Sequence, residues 1–375
     1  IDLILSGQES MDVLPIVQCD DAAIYQYTGG TTGVPKGAIG LHRNLVANIL
    51  QFREWLVGLE EGGEVALAAI PLYHVYGMVI AMGVSVALGA SIVLIRTPQD
   101  LSLLLSSIQQ YGVTLFPGVP NLYAAINKNP DVLAGKYDLR TIKACISGSA
   151  PLLPEIKQQF EALTGGKLVE GYGLSEAPTA THCNPVHGEN RTGSIGLPLP
   201  DVDARIVDAE VGDRQLAIGE VGELIIRSPQ VMAGYHGMDE ETKLALRKGW
   251  LYTGDLARMD EDGYFYLVDR KKDVIKIGGF QVWPREVEEV LALHPDIKDA
   301  AVAGVPDATY GEMVKAWIVL QEGRSISPGE VQGWCEERLA RYKKPMAVEF
   351  IDTIPRTFVG KVLRRELVRM HQAGK

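Results

Sequence analysis

The sequence predicts an α/β protein: a large N-terminal domain with a largely parallel sheet and a β-rich part, then a small α+β domain. Three observations predict it. From about Val65 to Val169, runs that read as buried strands alternate with helical runs across glycine-bearing loops. From Asp201 to Asp269 the texture changes to short strands with turn signals. After Arg270, helical and strand patterns fill about 100 residues, the size of an independent domain.

Each element follows from its local pattern. Between Glu64 and Arg96 there is no charged residue, and uncharged runs of about 20 residues can cross a bilayer. Pro71, His74 and Gly77, Gly83 and Gly89 divide this run into a strand (VALAAI), a helix (GMVIAMGVSVAL) and a second strand (SIVLI). A βαβ unit covered on both faces gives the same hydrophobicity, so no transmembrane segment is expected. TLFPGV then leads into a helix near Pro120 to Asn127. TIKACIS is followed by the loop GSAPL and the helix PEIKQQFEAL, and KLVE by the loop GYGLSEA. Ligands of such sheets sit beyond the carboxyl ends of the strands, where these loops fall. VGELIIRS and YFYLVDR are strand-like, with DEDG a tight turn before the latter. In the last domain PREVEEVLALH and PGEVQGWCEERLARY read as helices, and KDAAVAGV, VKAWIVL and VEFID as strands. DRKKDVIKIGG is its linker and first strand.

Composition narrows the partners. A hydrophobic share of 46% and a charged share of 22% describe a globular chain, not a disordered one. With a net charge of −11 and no concentration of lysine and arginine, no nucleic-acid partner is expected. The four cysteines (Cys19, Cys145, Cys183, Cys335) lie far apart with no C-x-x-C, which fits a reducing, cytoplasmic setting.

QYTGGTTGVPKGAIG, from Gln26 to Gly40, packs five glycines, three threonines and one lysine into fifteen residues. Converging glycine N–H groups and threonine hydroxyls suit phosphate. The P-loop pattern fails, because Lys36 follows Pro35 and precedes Gly37. GYGLSEAPTAT departs from the dinucleotide fingerprint by placing Glu176 where the third glycine belongs. A carboxylate beside polyphosphate is repulsive without a metal, so Glu176 is a candidate Mg²⁺ ligand; a solvated loop glutamate is the alternative. Asp255 of YTGDLARMDEDGYFYLVDR can accept both hydroxyls of a ribose, and Arg270 can pair with phosphate. Gly360-Lys361 of PRTFVGKVLRREL lies where a short basic helix begins, and His74 of PLYHVYGM at a strand-to-helix junction. Alone, each of these reads as well as an ordinary packed or solvated residue.

In this order they resemble the adenylate-forming enzymes: acyl- and aryl-CoA synthetases, adenylation domains of nonribosomal peptide synthetases, and luciferases. YTGGTTGVPKG, GYGLSEA, YTGDLARMDEDGYFYLVDRKKDVIK and PRTFVGK carry the likeness from about Tyr25 to Arg365. TGGTTG, GFQVWPREVEEVL and the serine of GLSEA are most similar to bacterial fatty-acyl-CoA ligases. Family members carry a substantial segment before the signature loop, whereas 27 residues precede Thr28 here. The resemblance therefore implies a large domain represented in part, residues 1–269, with some apolar sheet surface exposed. It also implies a mobile domain, residues 270–375, with a hinge near Lys272.

The resemblance implies two half-reactions, using ATP, Mg²⁺ and coenzyme A. A fatty carboxylate attacks the α-phosphate to give acyl-adenylate and pyrophosphate, and coenzyme A then displaces AMP. Thr28, Gly30, Thr31, Thr32 and Lys36 are expected to grip the β- and γ-phosphates. Gly148, Ser149 and Ala150 bracket adenine with Gly171, Tyr172, Gly173 and Ser175, while Asp255 and Arg270 hold the ribose side. Lys361 serves adenylation. Lys276 and Gly279 replace it after domain rotation, Gly279 letting the pantetheine arm pass, and His74 gates the acyl pocket. Small residues such as Gly77 and Gly148 are expected to leave room for a long apolar tail. The partners are a fatty acid and coenzyme A, with at most peripheral contact with a membrane. Two other readings stay open: a carrier-protein-loading adenylation enzyme, and a catalytically incomplete adenylate-binding fragment.

Overall fold

The computed structural model describes residues 16–28, 35–357 and 360–373. A seven-stranded sheet runs in the order Ser91–Leu94, Val65–Ala68, Leu115–Gly118, Ala144–Ser147, Lys167–Leu174, Ala177–Cys183, Leu197–Pro198. The first five strands are parallel and the last two antiparallel. Strand alternation sends neighbours to opposite faces, and here both faces are covered. Leu115, Ile146 and Val169 pack with Phe52 and Val79 on one side. Phe116, Cys145 and Leu168 pack with Leu105, Tyr123 and Phe160 on the other. That double burial explains the uncharged run from Val65 to Ile95, and no described helix is long and apolar enough to cross a membrane.

The β-rich part is a second sheet, ordered Asp203–Val207, Gly222–Arg227, Trp250–Met259, Leu246–Arg247, with Phe265–Arg270 also pairing to Trp250–Met259. A two-stranded hairpin, Ala22–Thr28 with Lys36–Leu41, brackets the glycine-rich loop. Tyr25 and Tyr27 of the hairpin are exposed, as are Val46, Leu50, Met82 and Val86 on nearby helices. The C-terminal sheet has its own core, in which Val287, Leu291, Val331 and Cys335 of two helices pack on Val302, Val314 and Ile318. Trp317 and Leu367 fill its other face.

Three readings need correction. The expected loop GYGLSEA is a hairpin: Lys167–Leu174 continues straight through Gly171-Tyr172-Gly173, turns at Ser175-Glu176 and returns as Ala177–Cys183. Gly173 makes this close pairing feasible, since a Cβ there would lie 1.6 Å from the Thr179 carbonyl oxygen. The helix expected over PGEVQGWCEERLARY spans Pro328–Glu336 only. The chain then turns, through a short 3₁₀ stretch Arg341–Lys343, so that Ala347–Phe350 can lie parallel to Lys315–Ile318. Finally, Gly77 and Gly148 do not leave open room. A Cβ on Gly77 would meet the Pro71 carbonyl oxygen at 2.4 Å, and one on Gly148 the Tyr76 ring at 3.3 Å. The helix that Gly77 opens is wound with π-type bonds over Gly77–Val84. All four cysteines are free thiols.

Gly173→Ala should destabilise the protein by about 3 kcal/mol, because backbone and not a flexible side chain opposes the new methyl. A lowered midpoint in urea unfolding is the expected measurement.

Candidate active site

Register brings two of the candidate segments together. Gly118, Ser147 and Glu170 are cross-strand partners on three adjacent parallel strands. The residues that follow, the loop Gly148–Ala150 and the strand residues Gly171–Gly173, therefore lie side by side at the carboxyl end of the parallel strands. Tyr76 anchors that end, its hydroxyl donating to the carbonyls of Ile146 at 2.6 Å and Gly118 at 3.1 Å. Ser149 adopts a φ of 72° and stays exposed at the loop tip, a conformation unusual for a non-glycine residue. Glu170, which sequence reasoning passed over, fixes this loop. Its carboxylate accepts from the N–H groups of Leu152 at 3.1 Å and Gly193 at 3.0 Å. Burial pushes its pKa up, against the effect of those bonds. The signal was legible: an acid at the end of an otherwise apolar strand.

Asp255 sits where the two large sheets meet. It is buried, accepts the Tyr172 hydroxyl at 2.6 Å through Oδ2, and pairs with Arg270 Nε at 3.2 Å through Oδ1. Its second-sheet position directly opposes Arg270 in register. Burial, then the Asp255 charge, raises the Tyr172 pKa well above the usual phenol value, so Tyr172 is a fixed donor. Carboxylate oxygens retain further acceptor capacity for ligand hydroxyls. Glu223, also missed from sequence, buttresses the segment. It accepts from Gly254 N–H at 3.2 Å and from Lys271 Nζ at 2.7 Å.

The C-terminal domain delivers Lys361 to this group. Lys361 keeps solvent contact, yet surrounding protein and the charges of Arg270 and Lys272 lower its pKa to about 8, with Asp255 and Asp273 opposing. Gly360 beside it approaches Asn121 of the large domain, a Cβ there coming 3.5 Å from Nδ2. Burial and Arg270 also lower the Lys272 pKa. Three cations thus face two carboxylates, an arrangement poised for an anion.

The glycine-rich segment ends in a second cluster. Thr28 and Lys36 are register partners closing the hairpin. The Lys36 ammonium, expected to grip phosphate, pairs with Glu241 and lies 5.3 Å from the centroid of the Tyr235 ring. Tyr235 in turn donates to Glu176 Oε1 at 2.8 Å, and Glu176 is near enough to support the Arg270 charge. Gly30, Thr31 and Thr32 lie outside the described residues. Glu176 fits a Mg²⁺ ligand of one kind. The described residues contain no group of three His, Cys, Asp or Glu side chains able to cage a metal. A single carboxylate suits an ion that completes its shell with phosphate oxygens and water.

The remaining candidates are dispersed. His74 is half-buried before the helix, its Nδ1 accepting the Tyr76 N–H at 3.2 Å, and burial lowers its pKa. A neutral imidazole with its proton on Nε2 follows from that bond. Lys276 lies on the strand Ile275–Ile277 of the C-terminal sheet, where its N–H donates to Glu312 Oε2 at 2.7 Å, and Gly279 lies in the turn that follows. Neither joins the Asp255–Lys361 group among the described residues. Gly279, with φ 89°, has nothing within 4 Å of the place a Cβ would occupy, so its surface is open to a passing chain.

The family of AMP-binding enzymes matches residues 5–236, and the AMP-binding enzyme C-terminal domain matches residues 286–361. The chain belongs to this family. It is 47% identical over 364 residues to a long-chain-fatty-acid–CoA ligase of Bacillus subtilis (strain 168), covering 96% of this chain and 64% of that protein. The chain therefore spans somewhat under two thirds of the length of the curated relatives it matches. Among solved structures, ATP-bound MatB from Rhodopseudomonas palustris superposes with a TM-score of 0.86 at 34% identity, covering 95% of this chain and 69% of that one. The O-succinylbenzoate coenzyme A synthetase MenE from Bacillus subtilis, in complex with AMP, gives 0.82 at 30% identity, covering 94% and 70%. The family match and these likenesses agree with a large N-terminal domain followed by a small C-terminal one.

If Lys361 sits among cations as described, an amine-directed acylating reagent should label it with a midpoint near pH 8, not the ~10.4 of a free lysine. Lys272→Met should raise that midpoint, as read by peptide mass spectrometry.

Proposed function

We propose that this chain carries out ATP-dependent acyl-CoA ligation on a fatty acid in the cytoplasm. The observation that carries the reading is Asp255 buried between Tyr172 and Arg270, with Lys361 of the C-terminal domain within reach of the Asp255 and Arg270 charges. In the first step a carboxylate oxygen of the acid attacks the α-phosphorus of ATP. The bond to the bridging oxygen breaks, and pyrophosphate leaves with the electron pair. In the second, the coenzyme A thiolate attacks the acyl carbon and AMP departs.

This chemistry needs positioning and charge neutralisation more than covalent help. Asp255 accepts the ribose hydroxyls while Tyr172 and Arg270 hold its carboxylate in place. The loop Gly148–Ala150 and the hairpin segment Gly171–Ser175 bracket adenine, with Glu170 fixing the loop. Thr28 and Lys36, with Gly30, Thr31 and Thr32, take the departing pyrophosphate. Mg²⁺, held by Glu176, supplies charge neutralisation to the phosphates when bound. Lys361 bridges the attacking carboxylate and the α-phosphate as an ammonium. His74, fixed by Tyr76, stands at the edge of the acyl path.

Thioester synthesis then asks for a different surface. Residues 1–269 remain in place while residues 270–375 turn about Lys272, withdrawing Lys361 and presenting Lys276 and the open surface at Gly279. The fatty-acid assignment rests on the likeness to long-chain-fatty-acid–CoA ligases. ATP-dependent thioester formation across acids from short to long tests it, with coenzyme A and a carrier protein offered in parallel. Preference for a carrier protein, or AMP binding without ATP–pyrophosphate exchange, would replace the reading.

Lys361→Ala should reduce acyl-adenylate formation at least 100-fold and spare thioester formation from supplied acyl-adenylate; equal loss of both would remove its assigned role. Because the Lys361 pKa is lowered to about 8, its charge is present below that pH and lost above it. The kcat/KM for ATP, which reports the free enzyme, should therefore fall as pH rises through 8. Glu176→Ala should raise the Mg·ATP concentration needed for half-maximal exchange about tenfold, as a lost charge-assisted contact does.

A further inference from the structure

The chain between the two domains is tied down up to a definite residue. Lys271 donates its N–H to the Gly254 carbonyl at 2.9 Å and its ammonium to Glu223. Ile275 already pairs with Val282 in the C-terminal sheet. Lys272, Asp273 and Val274 therefore join the two bodies.

One carboxylate reaches across that joint. Asp269, near the end of the strand Phe265–Arg270, accepts the backbone N–H of Arg285 at 2.8 Å through Oδ2. Arg285 is the second residue of the helix Pro284–Ala292, the first helix of the C-terminal domain. That helix lacks a cap of its own. Its first residue is proline, and Trp283 at the capping position offers no side-chain oxygen. Asp269 supplies the missing acceptor from the other side of the joint, and its negative charge faces the positive end of the helix. Arg285 answers in the opposite direction, Nη1 donating to the Leu267 carbonyl at 3.1 Å. The second Asp269 oxygen accepts the Arg270 N–H at 2.7 Å, which fixes the carboxylate's direction.

We propose that Asp269 is a positioning residue that caps the helix Pro284–Ala292 from across the domain joint and thereby holds Lys361 over the Asp255–Arg270 group. The inference rests on the two-step, two-arrangement reading given above. Asp269 precedes the pivot and Arg285 follows it, so a large rotation about Lys272–Val274 separates them. The bond belongs to the adenylating arrangement alone, and a contact present in one of two states shifts their populations by its own strength. Losing a helix cap shifts such an equilibrium about tenfold.

The test uses the full chain and the variants Asp269→Ala and Asp269→Asn, with the half-reactions measured apart. In Asp269→Ala, ATP–pyrophosphate exchange should fall about tenfold while thioester formation from supplied acyl-adenylate stays equal or rises. Asp269→Asn, whose amide oxygen can still accept, should fall less. Equal loss in both half-reactions would make Asp269 merely structural and overturn the proposal. A second arm is independent of turnover. Lys271 and Lys272 are exposed, and without ligands trypsin should cut there several-fold faster in Asp269→Ala than in the wild type. An unchanged rate overturns the proposal even if the wild type proves unable to activate any acid, an outcome that would separately remove the proposed function.

Discussion

The bond on which the rest of the site depends is the 2.6 Å contact from the Tyr172 hydroxyl to Asp255. Tyr172 belongs to the large, mainly parallel sheet and Asp255 to the second sheet, so this buried hydrogen bond joins their edges, alongside the backbone bonds of Phe265 to Ile195 and Gly196. Arg270 meets the same carboxylate from the neighbouring strand. A buried carboxylate needs both partners, since an unpaired charge at that depth is costly. Fixing Asp255 also fixes where the chain leaves the second sheet, because Arg270 is followed directly by the joint. Placement of Lys361 thus traces back to a strand pairing some hundred residues earlier.

Much of this was legible from residue pattern. The strand–loop–helix repetition located the parallel sheet, and the uncharged run from Val65 to Ile95 followed from burial on both faces. Asp255 and Arg270 were readable because a charged residue amid apolar strand positions requires a partner. Lys361 was readable only through its company of motifs, because a lysine in a basic C-terminal run has no distinguishing local feature.

What escaped the sequence is long-range. GYGLSEA carries the glycines of a loop, yet those glycines serve a tight antiparallel pairing with Ala177–Cys183, and pairing is a property of two segments. Glu223 and Asp269 hold backbone N–H groups well along the chain, so nothing beside them discloses the role. Glu170 stands out as an acid ending an apolar strand, but its neighbours do not show which N–H groups it holds. The same limit explains the error over Gly77 and Gly148. Their small size is consumed by the Pro71 carbonyl and the Tyr76 ring, contacts that composition cannot reveal.

The pairing of Lys36 with Glu241 has a consequence for discrimination among phosphate ligands. In the free protein that lysine is already neutralised, and it also rests on the face of Tyr235. An incoming anion is therefore weighed against a resident carboxylate and not against bulk water. A singly charged ligand gains little by such an exchange, whereas a polyphosphate presenting several charges can displace Glu241 and keep its other contacts. On the proposed reading, the pair sets a threshold at the pyrophosphate end of the site alone, one that a triphosphate meets with contacts a lone phosphate lacks.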